Sequence, residues 1–333
     1  MKRPLLWLAG AAAVAAGIIV PLALGGRGAL AATASIPRID AVALGALVIA
    51  SAVARAIKLR VLAMRLGHRV GVGRALITAF ASDAAFQATP AGAGGYPATV
   101  LLLRRGGMPA AAGVALSAAD QALDSLFFAL ALPLACVFDL GNAVPAAWHA
   151  FAWLPAGIVL VAMATAAGAW RLRARWWPPL RGQLLRLRWL RERREPLRAF
   201  CMGVLADLSR LRNGSPLVTL ALVLAVAAQW VARYGVLWFA LAALGHALPF
   251  GLVFVAQSVA LHAAQWTGVP AGIGGGDVAL AAALSPWAPL AVLAPALLLW
   301  RLATFHTVLL LGAIALACDR RHVAVPTVAA SEA

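Results

Sequence analysis

Long apolar stretches alternate with short polar connections along most of this chain. A helix needs about 20 predominantly apolar residues to cross a bilayer. The pattern predicts six membrane-spanning helices, at Leu5–Leu24, Ala41–Ile57, Ala112–Phe138, Trp148–Trp170, Leu217–Leu244 and Trp287–Ala317. We therefore expect an all-α polytopic membrane protein.

Two further apolar segments, 75–103 and 251–284, are each interrupted by the same motif, Pro-Ala-Gly-x-Gly-Gly. Backbone groups freed by such a break cost several kcal/mol each, unless they are buried in protein or line a water-filled cavity. A matched pair of breaks, one in each half, is the best sequence pointer to a transporter's binding site. The residues that break the helices are Pro90, Gly92, Gly94, Gly95, Pro270, Gly272, Gly274 and Gly275.

The positions of Lys and Arg predict the topology, because cytoplasmic loops carry an excess of these residues. Basic residues cluster at Lys2-Arg3, in 58–74 after the second span, at Arg104-Arg105, in 171–215 and at Arg320-Arg321, so Lys58 should lie in the cytoplasm, whereas Arg55 falls inside the second span. Both termini should then lie in the cytoplasm, with the chain in a bacterial inner membrane. A cleaved signal peptide at the start is a second possibility.

The same charges predict how the two interrupted segments enter the membrane. If Arg104-Arg105 is cytoplasmic, 75–103 must enter from the cytoplasm and return to it, as a re-entrant hairpin. By the same reasoning 251–284 enters from the outside and returns there. Two opposed hairpins are typical of the inverted-repeat plan of secondary transporters. The alternative is that each segment is one kinked span.

The chain should form a single integral membrane domain, 1–333. Its halves, 1–170 and 216–319, are joined by a basic cytoplasmic linker, 171–215, and followed by a cytoplasmic tail, 320–333. An amphipathic helix is predicted at Pro196–Leu211, because apolar residues recur there at helical spacing, namely Leu197, Phe200, Cys201, Val204, Leu208 and Leu211. This helix could recruit anionic lipids, or it could lie on the membrane and only fix the topology.

Composition narrows the function. The chain is 63% hydrophobic and 12% charged, against about 25% charged in a typical soluble domain. The net charge of +17 could indicate nucleic-acid binding, but its location between spans favours a topological role, so we expect no nucleic-acid partner. The three cysteines are far apart, and no nucleotide-binding or zinc motif occurs. We expect no metal, no cofactor and no catalytic residue.

Charged residues inside the predicted membrane segments are the candidate site, because charges there are costly and functional by default. They are Arg301, Arg233, Asp124, Asp120, Asp277 and Asp83. Arg301 or Arg233 would hold a lipid phosphate through charge-assisted hydrogen bonds. Asp124 and Asp277 would balance those cations in the empty state, or bind a proton or a cationic headgroup. Alternatively, the acids and arginines pair only to hold the bundle together.

Two glutamines, Gln87 and Gln265, precede the breaks. They could hydrogen-bond freed backbone groups or line a cavity. The simpler interpretation is hydrogen bonding between helices, worth about 0.6 kcal/mol on average.

Four pieces of the sequence, in order, resemble the transmembrane domain of lysylphosphatidylglycerol synthases and its stand-alone flippase-like relatives. The pieces are Thr89–Gly95 with Leu102–Gly107, Asp120–Asp124, Pro270–Asp277, and Trp300–Phe305. The chain departs from the family pattern at three positions. Gln121 stands where the family usually has Arg, and Asp120 and Asp277 stand where it has Glu.

The resemblance implies a protein that translocates or presents a polar or charged lipid between bilayer leaflets. It implies no enzyme, because the soluble aminoacyl-transferring domain of the full synthases is missing. Expected partners are anionic or polar-headed membrane lipids and, for an accessory protein, enzymes of a lipid pathway such as hopanoid or glycolipid biosynthesis. Two further alternatives remain open: an ion- or proton-coupled small-solute transporter, and a lipid transferase using Asp120 and Asp124.

Overall fold

The regular structure of this protein is helical wherever it is described. The computed structural model describes residues 3–138, 194–211, 215–265 and 267–323, with six single positions between 153 and 171. The α-helices in these ranges are α1 (Arg3–Ala34), α2 (Arg38–Arg65), α3 (Val72–Ala88), α4 (Gly95–Arg105), α5 (Ala110–Phe138), α6 (Arg194–Arg210), α7 (Pro216–Ala243), α8 (Phe250–Gln265), α9 (Gly275–Leu284), α10 (Leu290–Arg301) and α11 (Thr307–Val323). The predicted all-α class is confirmed. Most of the predicted span Trp148–Trp170 and most of the linker 171–215 fall outside the described residues.

Five stretches of helix in the described residues are long and apolar enough to cross a membrane. They are Val14–Ala34, Arg38–Arg65, Ala110–Cys136, Pro216–Ala243 and Leu290–Asp319. They correspond to five of the six predicted spans, and they make this a multi-pass membrane protein.

The first helix is longer than its predicted span. It continues to Ala34 through a kink at Gly26, where φ is 59°. Small apolar residues after the kink sustain the helix, and Gly25 packs closely against Ala294 of α10. The predicted end of this span at Leu24 is therefore wrong, and only a short turn separates α1 from α2.

Each interrupted segment forms a pair of short helices joined by a 3₁₀ turn. Pro90–Gly92 joins α3 to α4, and Pro270–Gly272 joins α8 to α9. The helices of each pair pack against each other. A Cβ at Gly106, just after α4, would lie 3.0 Å from the side chain of Arg74 near the start of α3. The chain of the first segment therefore turns back on itself, and the predicted breaks in both helices are present.

The two halves of the chain repeat one architecture. The second set, α7 to α10, begins at 216, 250, 275 and 290, and the first set, α2 to α5, begins at 38, 72, 95 and 110. The spacing between equivalent starts is 178 residues before the breaks and 180 after them. Arg65, at the end of α2, donates to Ser215 and Thr219 at the start of α7, at 3.3 and 2.6 Å. Equivalent helices α2 and α7 thus pack antiparallel.

One end of the bundle is tied together by Asp319. This buried carboxylate pairs with Arg74 from the start of α3 and, at 2.8 Å, with Arg105 from the end of α4. Asp319 itself lies near the end of α11. The start of α3, the end of α4 and the end of α11 therefore share one end of the molecule.

The predicted amphipathic helix is present as α6. Val204, Leu208 and Leu211 pack against an apolar cluster formed by α2, α3 and α5. Leu197 and Phe200 of the predicted apolar face are exposed. Only the second half of that face is therefore buried against the bundle.

The last predicted span is interrupted. Between α10 and α11, residues Leu302–His306 form a π-helix. Such turns occur frequently at functional sites. Here the π-helix begins directly after Arg301.

Candidate functional site

The two 3₁₀ turns contact each other inside the bundle and adopt nearly the same backbone conformation. Ala91 has φ 50° and ψ 21°, and Ala271 has φ 53° and ψ 15°. They are the two non-glycine residues with positive φ in the described part of the chain. The left-handed conformation costs an L-residue about 1–2 kcal/mol. The repeated motif therefore specifies one particular strained turn, used twice.

Glycines in these turns permit close approach of the backbone to its neighbours. A Cβ at Gly92 would lie 2.3 Å from the ring of Phe86. A Cβ at Gly272 would lie 2.6 Å from the Cβ of Ala264. Both contacts are shorter than any real side chain tolerates, so the motif glycines are required by packing as well as by φ.

A cavity of about 830 Å³, counting its open mouth, lies beside the two turns. Trp230, Arg233 and Tyr234 reach it from the middle of the 28-residue helix α7. This places the cavity near the mid-depth of the bundle. Its wall consists of Phe86, Gln87, Ala91, Gly92, Phe128, Trp230, Arg233, Tyr234, Gln257, Leu261, His262, Gln265, Val269, Ala271, Trp300, Arg301 and Thr304.

Arg301 is fixed in the cavity wall by three contacts. Its Nε donates to Asp277 Oδ1 at 2.6 Å, its Nη1 donates to the carbonyl of Ala271 at 3.2 Å, and its guanidinium carbon lies 4.4 Å from the ring centre of Trp300. Asp277 also accepts from the N–H of Gly274 at 2.9 Å and so caps α9. One carboxylate therefore orders both the second turn and the guanidinium.

One donor of Arg301 is left over. Nη2 is buried and has no hydrogen-bond partner among the described residues. Leaving a buried donor unpaired costs about 1–3 kcal/mol. An anion that reached this donor could accept a short charge-assisted hydrogen bond from it.

Arg233 is a second guanidinium in the cavity wall, and it is held less firmly. Its Nη1 lies 3.4 Å from Asp83 Oδ2, and its guanidinium carbon lies 6.0 Å from the ring centre of Trp230. Its side chain is 24% exposed, whereas that of Arg301 is 2% exposed. The longer distance and greater exposure make Arg233 the more readily available of the two cations.

A buried ion network lies behind Arg233. Arg55 pairs with Asp83 and lies 3.6 Å from Asp120. Lys58, fully buried, lies 2.6 Å from both Asp120 and Asp124. Because cations already occupy these carboxylates, the network is built for internal pairing. In the described ranges, no group of three His, Cys, Asp or Glu side chains is arranged to hold a metal ion.

Sequence reasoning placed Lys58 among the cytoplasmic basic residues, and this was wrong. The helix continues eight residues beyond the predicted end at Ile57, so Lys58 lies inside α2 and against α5. Arg55 was counted in the membrane but not as a site residue. Their spacing of three puts both on one helix face, opposite Asp120 and Asp124 on α5, and this signal could have identified the network.

The structure distributes the predicted site residues over the cavity and the network. Arg301, Arg233, Gln87 and Gln265 line the cavity. Gln87 also donates to the carbonyl of Thr304 in the π-helix. Asp277 and Asp83 contact the two arginines, while Asp120 and Asp124 belong to the network. The predicted charged residues therefore lie in two adjoining places, the cavity wall with its counter-ions and the buried ion network.

The network reaches the cavity through Trp230. This side chain lines the cavity and donates its indole N–H to Asp124 at 2.8 Å. Gln257 also lines the cavity and donates to the carbonyl of Tyr234 at 2.9 Å. Neither Trp230 nor Gln257 was singled out from the sequence, because neither carries a charge or adjoins a break.

Sequence comparison relates this chain to known membrane proteins. The chain is 26% identical, over 267 residues, to a UPF0104 membrane protein from Archaeoglobus fulgidus, and the match covers 78% of this chain and 80% of that protein. A family model described as the lysylphosphatidylglycerol synthase TM region matches residues 6–312. With both turns, the cavity and the ion network inside that match, the chain belongs to the family of lysylphosphatidylglycerol synthase transmembrane regions.

Proposed function

We propose that this protein moves a polar-headed lipid between the two leaflets, or presents it, by binding the anionic part of the headgroup in the cavity beside the two turns. The observation that carries the proposal is that two arginines, Arg233 and Arg301, line one cavity, and that Nη2 of Arg301 has no hydrogen-bond partner among the described residues. Phosphate is the anionic group most lipid headgroups carry, and guanidinium is well suited to bind it.

The location of the cavity suits such a role. A charged headgroup crossing hydrocarbon without help would lose its hydration at a cost of many kcal/mol. A wall with two guanidinium groups near mid-depth offsets part of that loss. Aromatic side chains of Phe128, Trp230 and Tyr234 line the same cavity and provide an apolar surface for the part of the lipid next to the headgroup.

The arrangement in the membrane is part of the proposal. We place six spans across the inner membrane, with α3–α4 and α8–α9 as opposed re-entrant hairpins and both termini in the cytoplasm. Pairing of Asp319 with Arg74 and Arg105 supports this, because it puts both ends of the first hairpin beside the end of α11. Antiparallel packing of α2 on α7 supports an inverted relation of the two copies, which is the plan of alternating-access transporters.

Lipid exchange in proteoliposomes tests the function. A fluorescent phospholipid in the inner leaflet becomes open to an external quencher only after it crosses. Arg301→Lys keeps a cation beside Asp277 but removes the free Nη2 donor, and Arg233→Gln removes the second guanidinium. We expect each variant to slow the protein-dependent exchange by about tenfold, the scale of one charge-assisted hydrogen bond.

The matched control is Arg210→Gln, which removes an arginine from α6, outside the cavity, where it bonds Asp207 at 3.0 Å. Its exchange rate should remain that of the wild type. Equal exchange in all variants, at unchanged melting temperature, would exclude the cavity as the path. Uptake of small solutes without lipid exchange would instead support the solute-transporter alternative.

A further inference from the structure

Equivalent arginines of the two copies share one carboxylate. Arg233 in α7 lies 178 positions after Arg55 in α2, the same offset that relates the starts of these helices. Arg55 Nη1 pairs with Asp83 Oδ1, and Arg233 Nη1 lies 3.4 Å from Asp83 Oδ2. Asp83 itself has no equivalent, since position 261, at the same offset, is Leu. Asp83 thus lies between two arginines, Arg55 and Arg233, that occupy equivalent positions in the two copies.

The two contacts are unequal in this structure. The Arg55 contact is the closer one, whereas 3.4 Å to Arg233 lies beyond the usual range of about 2.7–3.2 Å for an N–H···O bond. Arg233 also lines the cavity, and Arg55 does not. Asp83 is therefore held mainly by the arginine behind the cavity and only loosely by the arginine in its wall.

We infer that Asp83 competes with the lipid phosphate for Arg233, and that phosphate binding transfers Asp83 entirely to Arg55. This inference rests on the proposed function and assigns its regulation. A phosphate can replace Asp83 at Arg233 without leaving any carboxylate unpaired, because Arg55 retains it. No comparable exchange is open at Arg301, because releasing Asp277 would leave a buried acid and uncap α9.

The charge balance of the membrane core supports such an exchange. Four cations, Arg55, Lys58, Arg233 and Arg301, face four carboxylates, Asp83, Asp120, Asp124 and Asp277. The predicted span 148–170, most of which lies outside the described residues, contains no Asp, Glu, Lys or Arg. Because the described cations of the network and the cavity wall are matched by carboxylates, an incoming phosphate must share a cation with an internal carboxylate, and the pair with the longer contact, Arg233 and Asp83, should separate first.

Binding of a short-chain phosphatidylglycerol to the detergent-solubilised full chain tests the inference. Asp83→Asn removes the competitor and retains its shape, so the affinity should rise by about tenfold. The matched control, Asp120→Asn, removes the same charge from the same network, but at a carboxylate that contacts Arg55 and Lys58 instead of Arg233. Its effect on affinity should be at most about twofold.

A second variant predicts the opposite sign. Arg55→Gln deprives Asp83 of its other partner, so Asp83 should bind Arg233 more tightly and lower the affinity by about tenfold, although Arg55 does not line the cavity. When Arg55→Gln is combined with Asp83→Asn, the loss of affinity should disappear, because the Asp83 carboxylate that competes for Arg233 is gone. A general loss of folding would weaken binding in the double variant as well, and it would not be reversed by Asp83→Asn.

The outcomes separate the inference from the proposed function. Binding to the wild type with no gain in Asp83→Asn, or an equal gain in Asp120→Asn, would refute the competition and leave the function standing. No binding to the wild type or to any variant would overturn both. A gain limited to Asp83→Asn, together with reversal in the double variant, would establish the competition.

Discussion

The pair of Asp277 and Arg301 makes a quantitative prediction about stability. Their side chains are 0% and 2% exposed, and Nε and Oδ1 are 2.6 Å apart. Removing one member of a buried pair leaves an uncompensated charge and costs about 3–5 kcal/mol. Asp277→Asn should reach this range even though the asparagine oxygen can still cap Gly274, because Arg301 then keeps only the Ala271 carbonyl and the Trp300 ring.

The double variant makes the reasoning testable. Arg301→Gln alone should also cost about 3–5 kcal/mol, because it strands the Asp277 carboxylate. With both charges removed, only lost hydrogen bonds remain, at about 1 kcal/mol each. The double variant should therefore be no less stable than either single variant, and the coupling energy should be at least about 3 kcal/mol.

Reversible unfolding in mixed micelles, with increasing dodecyl sulfate, measures these free energies. The chain contains 12 tryptophans, so intrinsic fluorescence reports the transition without a label. Asp207→Asn is the control, since its partner Arg210 is 57% exposed and a pair of that kind is worth at most about 1 kcal/mol. If the costs at 277 and 301 simply added, Asp277 and Arg301 would not form a buried, charged pair, and the proposed ordering of the guanidinium by Asp277 would fail.

Three further predictions concern the turns and the topology. Gly92→Ala should strongly reduce the folded fraction, because its Cβ would lie 2.3 Å from the ring of Phe86. The control Gly275→Ala has open space around its Cβ and should melt like the wild type. Equal melting of both variants would contradict the packing of the first turn. Ala271→Gly should stabilise by about 1 kcal/mol in the same unfolding assay, because φ is 53° there, and a loss of stability would contradict the left-handed turn. Cysteines at Arg104 and at Ala247, both exposed, should react with membrane-impermeant reagents from opposite sides in a background without native cysteines, and labelling of both from outside would contradict the re-entrant hairpin.

The sequence predicts those structural features that are determined by neighbouring residues alone. Proline and glycine in Pro90–Gly95 and Pro270–Gly275 cannot continue an α-helix, so both breaks follow from the residues alone. The family, too, follows from the motifs and their order. The left-handed alanines inside the turns are different, because alanine carries no signal for positive φ, and only contact between the two turns reveals why the strain is tolerated.

Pairings across the bundle could not be predicted in the same way. Arg301 and Asp277 are 24 residues apart and meet only because α9 and α10 fold past each other. Lys58 was misplaced because the positive-inside rule counts cations in sequence and does not consider which helix face they occupy. The π-helix after Arg301 has no local signature, since its residues also suit an ordinary α-helix.

The repeat preserves the scaffold more faithfully than the site. Arg55 and Arg233 are equivalent, as are Gln87 and Gln265, both at an offset of 178. Arg301, however, is equivalent to Gln121 at the offset of 180, and Gln121 is exposed on α5 and donates to its neighbour Ser125.

The two copies have therefore diverged in charge. Both guanidinium groups of the cavity wall come from the second copy, while three of the four core carboxylates, Asp83, Asp120 and Asp124, come from the first. An inverted pair of identical copies would offer the same site to each leaflet in turn. Under the proposed function, the second copy would provide the groups that bind an anion and the first would provide the counter-charges, so we expect the headgroup to remain with the second copy while the first changes its position around it.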